Sequence, residues 1–412
     1  MNDFIKEPVR ETPVTAQTEV LVAGAGIAGI AAALAAARHG KKVLLLEREF
    51  APGGMATLGL ITIYLPLCDG MGHQVVHGLG EELFRLSIRY GYEGIYPAAW
   101  LAGGSEEERI ARRFQVQFNP QFFALSAEEL LLSEGVSILY GTVAVDTVVE
   151  NGAIQAVIVE NKSGRSAIRV ESVIDCTGDA DLCALSGAPT VVNPAGNGLA
   201  SWYYYFDGTG VNLKMFGLAD VVPDQDAKAK DGKETYAAAK TASLDGARFS
   251  GVDGIELSGA VQTGHRRMLE DILAQKEKNP ALVPVTMSTI PLVRMSRRLI
   301  GVSTMDVSSD HAVLEDSVGM TGDWTKRGPV YEIPFGALHC EAVRNLLAAG
   351  RDISTTDAMW NVTRVIPPCA VSGQAAGTAA ALGNDFTRTD IKALQKALIE
   401  DGVKLHFERK KV

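Results

Sequence analysis

Glu19-Val20-Leu21-Val22-Ala23-Gly24-Ala25-Gly26-Ile27-Ala28-Gly29 is the stretch on which the fold turns. A short apolar run, fit for a buried parallel strand, stops at three glycines spaced G-x-G-x-x-G. Small residues from Ile30 to Ala37 follow as a helix, and Gly40 ends it. Val43-Leu44-Leu45-Leu46 then forms a second strand that delivers Glu47, 18 residues after Gly29. Each part has a physical task. Gly24 permits the tight strand-to-helix turn, Gly26 lets the backbone approach a pyrophosphate, and Gly29 with Ala33 lets helix and sheet pack closely. The helix N-terminus, from Ala25 through Ile27 and Ala28, offers free N–H groups to phosphate. Glu47 is placed to accept hydrogen bonds from a ribose diol and disfavours a 2′-phosphate. The glycine spacing alone is a weak signal; the strand before it, the helix after it and the acid beyond it supply the context of a dinucleotide-binding unit.

Working outward, the segment Arg48-Glu49-Phe50-Ala51-Pro52-Gly53-Gly54-Met55-Ala56-Thr57 replaces a quick third βα repeat with a glycine-bearing loop. Such a loop suits a second arm around a larger cofactor, FAD rather than NAD. No second G-x-G-x-x-G occurs, so a built-in NAD(P)H domain is not expected.

The 412 residues exceed one ordinary domain, and 47% hydrophobic with 21% charged residues is a globular balance. A net charge of −10 argues against nucleic acid as a partner. Five cysteines with no CxxC pair point to a reducing compartment. With no visible signal peptide and no apolar stretch of bilayer length, the expectation is a cytoplasmic protein without a membrane partner. A homo-oligomer is left open.

Residues 81–91 and 121–135 read as helices, and Ser137–Tyr140, Ala144–Val149, Ala153–Val159 and Ala167–Val170 as a strand meander with an Asn151-Gly152 hairpin. Val173-Ile174-Asp175-Cys176-Thr177-Gly178-Asp179 fits a strand returning to the parallel sheet near the phosphates, and equally a capped turn. Residues 190–335 have another texture. Ser201–Phe206 is aromatic and strand-like, Asp220–Glu234 is a polar loop, and Gly259–Lys278 holds an amphipathic helix. Leu346–Gly350 reads as a buried strand, Gly373–Leu382 as a closely packed small-residue helix, and 387–407 as a peripheral amphipathic helix. The expected class is α/β: a Rossmann-like FAD-binding domain with a β-meander, discontinuous over 1–189 and 336–412, and an inserted α+β substrate domain over 190–335.

Four separated stretches, Gly24–Glu47, Val173–Ala188, Arg294–Gly301 and Tyr331–Leu382, together resemble the FAD-dependent oxidoreductases of the glutathione-reductase-like FAD fold. The chain is most similar to the compact bacterial family called simply FAD-dependent oxidoreductase. The resemblance implies noncovalent FAD, with Gly24, Gly26 and Gly29 at the pyrophosphate and Glu47 at the adenosine ribose. It places Gly54, Met55, Ala56, Thr57 and Leu58 beside the flavin, and Thr142, Val143 and Ala144 at the adenine. Thr177, Gly178 and Asp179 fall near the pyrophosphate, and Gly350 at the ribityl chain with Arg351 or Asp352 beside it. The segment from Arg364, Val365 and Ile366 to Ala370 would aim backbone N–H groups at the flavin C2 carbonyl.

FAD supplies the redox chemistry, and the protein must supply binding and a proton. Arg294, Arg297 and Arg298 fit a site for a carboxylated substrate or a flavin contact, and equally a structural ion pair or a solvated face. Arg364 lies in the flavin-adjacent motif. Candidates for proton transfer are His73, His77, His265 and His311 with Tyr203, Tyr204 and Tyr331; Cys369 is a candidate redox thiol or a core residue. The glycines around His73-x-x-x-His77 argue against a helical metal pair, and no metal is expected. The leading expectation is hydride transfer between flavin N5 and a small anionic organic molecule. The alternatives are a flavin monooxygenase or oxidase, and a non-catalytic FAD-binding protein.

Overall fold

The computed structural model describes residue 5, residues 7–216 and residues 248–408. The polar stretch Asp220–Glu234 lies outside the described residues. The first strand, Val14–Ala23, feeds the helix Ile27–Arg38 through the glycine turn, and the chain returns as the strand Val43–Leu46. These two strands pair in parallel, Val20 opposite Val43 to Ala23 opposite Leu46. Ser137–Leu139 extends the same sheet beyond Val43–Leu46, also in parallel.

On the other side of the first strand lies one long strand, Gly164–Asp175. It runs parallel to Val14–Ala23 along its length. Its opposite edge is shared. Residues 164–169 pair antiparallel with the strand Ala153–Asn161, whereas Val173–Asp175 pair in parallel with Leu346–Ala348. Two sequence segments expected as separate strands are thus one strand that changes partner midway. The hairpin before it, Val143–Glu150 with Ala153–Asn161, turns at Asn151 and Gly152, both at positive φ (51° and 71°), as a two-residue Asn-Gly turn requires. The result is an α/β fold with a mixed parallel and antiparallel sheet.

The helix Ile366–Leu382 packs against Ile27–Arg38 with almost no spacer. A Cβ on Gly373 would lie 2.2 Å from the Ala28 carbonyl oxygen, and one on Gly377 2.1 Å from that of Ala32. Alanine and glycine dominate both helices because only small side chains allow this approach. The helix Leu79–Ser87 joins them, with the Gln374 side chain accepting from the Leu79 N–H at 2.7 Å.

Between the long strand and Leu346–Ala348 the chain builds a second region. There Ser201–Phe206 pairs with Val211–Phe216 on one side and Val283–Met287 on the other, flanked by the helix Gly254–Lys278. The last helix is shorter than the sequence pattern suggests, covering Ile391–Glu400. Beyond it the chain folds back and buries Val403 and Leu405 in the core, and the Ser317 hydroxyl donates to the Leu405 carbonyl. Among the described residues, no helix is long and apolar enough to cross a membrane.

Candidate functional site

The C-terminal ends of Val14–Ala23, Val43–Leu46, Gly164–Asp175 and Leu346–Ala348 all open on one cavity of about 1350 Å³. A parallel sheet presents its ligand crevice at this edge. Small-molecule pockets commonly run to about 300–1,000 Å³, so this cavity has room for a large ligand and a second molecule beside it.

The glycine turn forms one wall. Gly24 has φ +96°, and a Cβ there would lie 2.5 Å from the Cys176 carbonyl oxygen, so only glycine fits. Gly26 caps the first helix with no side-chain hydrogen bond, which leaves the first N–H groups of that helix facing the cavity. The loop after Glu47 folds back on this turn: the Gly53 N–H donates to the Ala25 carbonyl at 2.7 Å, and Gly54 sits against Gly26. Glu47 is buried at the cavity edge. Burial pushes its carboxyl up, and N–H bonds from Glu49 (2.9 Å) and Ala25 (2.7 Å) pull against that. Each oxygen therefore keeps a free lone pair for a ligand hydroxyl.

A second helix N-terminus meets the same space. Ile366–Leu382 begins after Val365 without a side-chain cap; Pro367 and Pro368 carry no N–H, and the Cys369 N–H already bonds the Val365 carbonyl. The Ile366 N–H is thus the donor left for a ligand acceptor. Behind the cavity wall, the fully buried Asp352 accepts from the Gly178 and Ala180 N–H groups with one oxygen, and its other oxygen has no hydrogen-bond partner among the described residues. Burial, reinforced by Asp175, raises its carboxyl well above the usual range. The glycine turns, two helix N-termini without side-chain caps and the buried acid Glu47 fit a dinucleotide.

Of the expected cofactor residues, Gly24, Gly26, Ile27, Ala28, Glu47, Arg48, Gly53, Gly54, Met55 and Ala56 line the cavity. So do Thr142, Val143, Ala144, Thr177, Gly178, Asp179, Gly350, Arg351, Arg364, Val365 and Ile366. Five do not. Ala25 and Gly29 sit within the turn, where Gly29 abuts the Gly24 carbonyl. The Thr57 hydroxyl donates to the Pro52 carbonyl, the Leu58 carbonyl accepts from Thr289, and Asp352 lies behind Gly178. Of the pair that follows Gly350, Arg351 is the one facing the cavity.

The expected catalytic set is dispersed. Arg294 and Arg364 line the cavity. Arg297 does not: it pairs with Asp181 at 2.6 Å and donates to the Asp179 carbonyl, which is the structural ion-pair alternative. Arg298 is likewise held by Asp357 and stacks over Trp360. His77 bonds the Gln74 carbonyl, His311 pairs with Asp310, and Tyr331 is buried in the strand Val330–Pro334; none of the three lines the cavity. Cys369 does line it, but burial pushes its thiol up to about 12, so it is protonated at neutral pH.

The sequence profile of FAD dependent oxidoreductases matches residues 19–398. The chain belongs to that family. FAD is accordingly its cofactor, and it is an FAD-dependent oxidoreductase. No curated protein matches the chain. Solved structures similar to this oxidoreductase include a geranylgeranyl bacteriochlorophyll reductase-like protein of Thermoplasma acidophilum, at 13% identity, covering 94% of this chain and 84% of that one, TM-score 0.44. Another is p-nitrophenol 4-monooxygenase of Pseudomonas putida, at 13%, 95% and 82%, TM-score 0.46. A third is L-proline dehydrogenase of P. horikoshii, at 12%, 94% and 99%, TM-score 0.42.

The oxidoreductase also shows cavity groups that sequence reasoning did not single out: Glu93, Arg112, Arg113, Gln117, Trp324 and Arg327. Glu93 sits on the two-residue strand Tyr92–Glu93. It accepts from the Tyr204 hydroxyl at 2.8 Å and from Gln117 at 2.9 Å, and the Tyr204 oxygen lies 3.1 Å from that of Thr62. Burial raises the Glu93 carboxyl, against the pull of these bonds. Nothing local marks Glu93 in the sequence; the tyrosine run at 203–205 was the available signal for this corner.

Proposed function

We propose that the enzyme moves a hydride between FAD and a small anionic organic molecule held in the part of the cavity beyond the nucleotide residues. One observation carries this reading: a single continuous space is lined both by the dinucleotide turn and by the Glu93 carboxyl with basic side chains. Bound FAD supplies two-electron hydride chemistry at its ring. The chain's residues do the rest. Gly24, Gly26 and the first helix would hold the phosphates, Glu47 would hold the ribose, and the Ile366 N–H would offer a hydrogen bond to the cofactor. The Glu93 carboxylate accepts the proton that a substrate hydroxyl or amine releases as its carbon loses hydride, or returns it in the reverse direction. Tyr204 and Thr62 orient that carboxyl through the bonds described above.

The test is anaerobic mixing of purified yellow enzyme with a panel of carboxylic acids that bear an oxidisable C–H. Bleaching of the visible flavin absorbance by a member of the panel is the expected result. Protein that is colourless as purified, and unchanged spectrally on adding FAD, sinks the reading. Oxygen consumption with NAD(P)H and no anaerobic bleaching would replace it with hydroxylation.

A further inference from the structure

We infer that Glu93 is an ammonium-binding residue whose Oε1 takes the protonated amine of an amino acid, so that the molecule oxidised is an amine rather than an alcohol. This rests on the preceding reading of the cavity and names its substrate class.

Glu93 stands on a sheet of three short strands. Tyr92–Glu93 pairs with Val116–Phe118, which pairs in turn with Ile63–Tyr64, and the register sets Glu93, Gln117 and Ile63 in one row. Residues directly opposite one another share a face of the sheet, and all three line the cavity. Among the described residues the partners of Glu93 are neutral. Its Oε2 accepts from the Tyr204 hydroxyl at 2.8 Å and from the Gln117 amide at 2.9 Å. Its Oε1 accepts from the Asn119 amide at 3.4 Å. That amide cannot turn round, because its oxygen caps the helix Pro120–Ser133 through the Gln121 and Phe122 N–H groups, at 3.1 Å each. Burial raises the Tyr204 phenol, which therefore remains a donor at neutral pH. Two bonds fill the lone pairs of Oε2, and one long bond leaves Oε1 open.

Neutral donors fix a carboxylate without cancelling its charge. Enclosing a charge is unfavourable until an opposite one arrives. A ligand hydroxyl brings Glu93 a hydrogen bond and no charge, whereas a ligand ammonium brings both. The walls suit the carbon part of such a molecule. Alternate residues Ile61, Ile63 and Leu65 all line the cavity, and Trp202 adds an aromatic ring, which suits a cation as well as an apolar body. Glu93 then has two successive tasks. It binds the ammonium, and it takes one of its protons. The lone pair so released forms a C=N bond as the neighbouring C–H bond breaks and its electron pair leaves as hydride to FAD. The organic product is an iminium ion, the proton stays on Glu93, and the two electrons are on the cofactor.

The experiment uses the FAD-loaded protein without oxygen. The probes are alanine, leucine and phenylalanine of both hands, each against the 2-hydroxy acid of the same carbon skeleton. Binding is read from the flavin difference spectrum. At neutral pH at least one amino acid should bind about tenfold or more tightly than its hydroxy acid, the range of a charge-assisted hydrogen bond. Glu93→Gln should abolish that preference and keep the FAD content of the wild type. Should Glu93→Gln fail to fold, Glu93→Asp, which withdraws the charge by one methylene, should weaken binding of the amino acid and not of the hydroxy acid. Equal or tighter binding of the hydroxy acids, no binding of any amino acid, a preference that survives in Glu93→Gln, or loss of FAD from that variant each overturns the inference. Yellow protein that hydroxy acids bleach, and that binds amino acids no better, loses the ammonium site and keeps the reading of the cavity. Colourless wild-type protein defeats that reading itself.

Discussion

Burial raises both Asp352, behind the cavity wall, and Glu93, in the cavity lining, with different consequences. Asp352 is fully buried, and its folded value stands well above the free one. A raised acid contributes stability that is fully present below the unfolded value, about 4, and is lost as pH rises through the folded value. Asn at 352 keeps an oxygen for the Gly178 and Ala180 N–H groups and does not titrate. The melting temperature of Asp352→Asn should therefore gain on that of the wild type as pH rises from about 4; a difference that stays constant with pH contradicts this. Glu93 is a matter of rate. Glu93→Gln should lower the rate of flavin reduction by about 10²–10⁴-fold, the usual worth of a general acid or base. It should also remove one limb of the pH–rate profile, while Tyr204→Phe keeps the limb and moves it. An unaltered profile in Glu93→Gln would show that the proton goes elsewhere.

The same chemical change has opposite signs in two helices. In Ile366–Leu382, Gly377→Ala drives a methyl to 2.1 Å from the Ala32 carbonyl oxygen, backbone that cannot move away cheaply. We expect a loss of about 1–3 kcal/mol or more, the cost of overpacking, read as a lower denaturant midpoint. In Gly254–Lys278, Gly259 is exposed and, among the described residues, nothing lies within 4 Å of its would-be Cβ. Gly259→Ala there should gain up to about 1 kcal/mol through helix propensity alone. The element scale is also where the sequence reads best and worst. Strand, glycine turn, helix and acid are adjacent from Glu19 to Glu47, so local spacing reveals them. The strand Gly164–Asp175 reads as two pieces because its partner changes at a point set by Leu346–Ala348, far along the chain.

At the scale of the molecule, ligand and fold are linked. Adding FAD to apoprotein should raise the melting temperature, with a stabilisation of about 2.7 kcal/mol at a hundred times Kd, whereas NADPH should do little, since Glu47 disfavours a 2′-phosphate. Equal shifts from both would contradict the assignment of the ribose site. The nucleotide half of the cavity is readable in sequence because its glycines and Glu47 sit in local motifs. The other half is assembled from Glu93, Arg113 and Arg327, each of which looks in sequence like an ordinary surface charge, together with Arg364 of the flavin-adjacent motif. Proximity created by tertiary folding has no local spacing to betray it. In the conspicuous segment Arg294–Arg298, Arg294 lines the cavity, whereas Arg297 and Arg298 pair with Asp181 and Asp357, the structural alternative that the sequence left open.

The strand Leu346–Ala348 and the helix Ile366–Leu382 complete a sheet and a helix pair that the first 40 residues begin. During synthesis the apolar first helix must wait for partners more than 300 residues downstream. At ribosomal speeds that wait is on the order of tens of seconds. A nascent chain in this state exposes sticky surface throughout, so the protein should be a demanding client of chaperones at the ribosome. Products truncated shortly before residue 366 should aggregate rather than persist as a smaller cofactor-binding fragment.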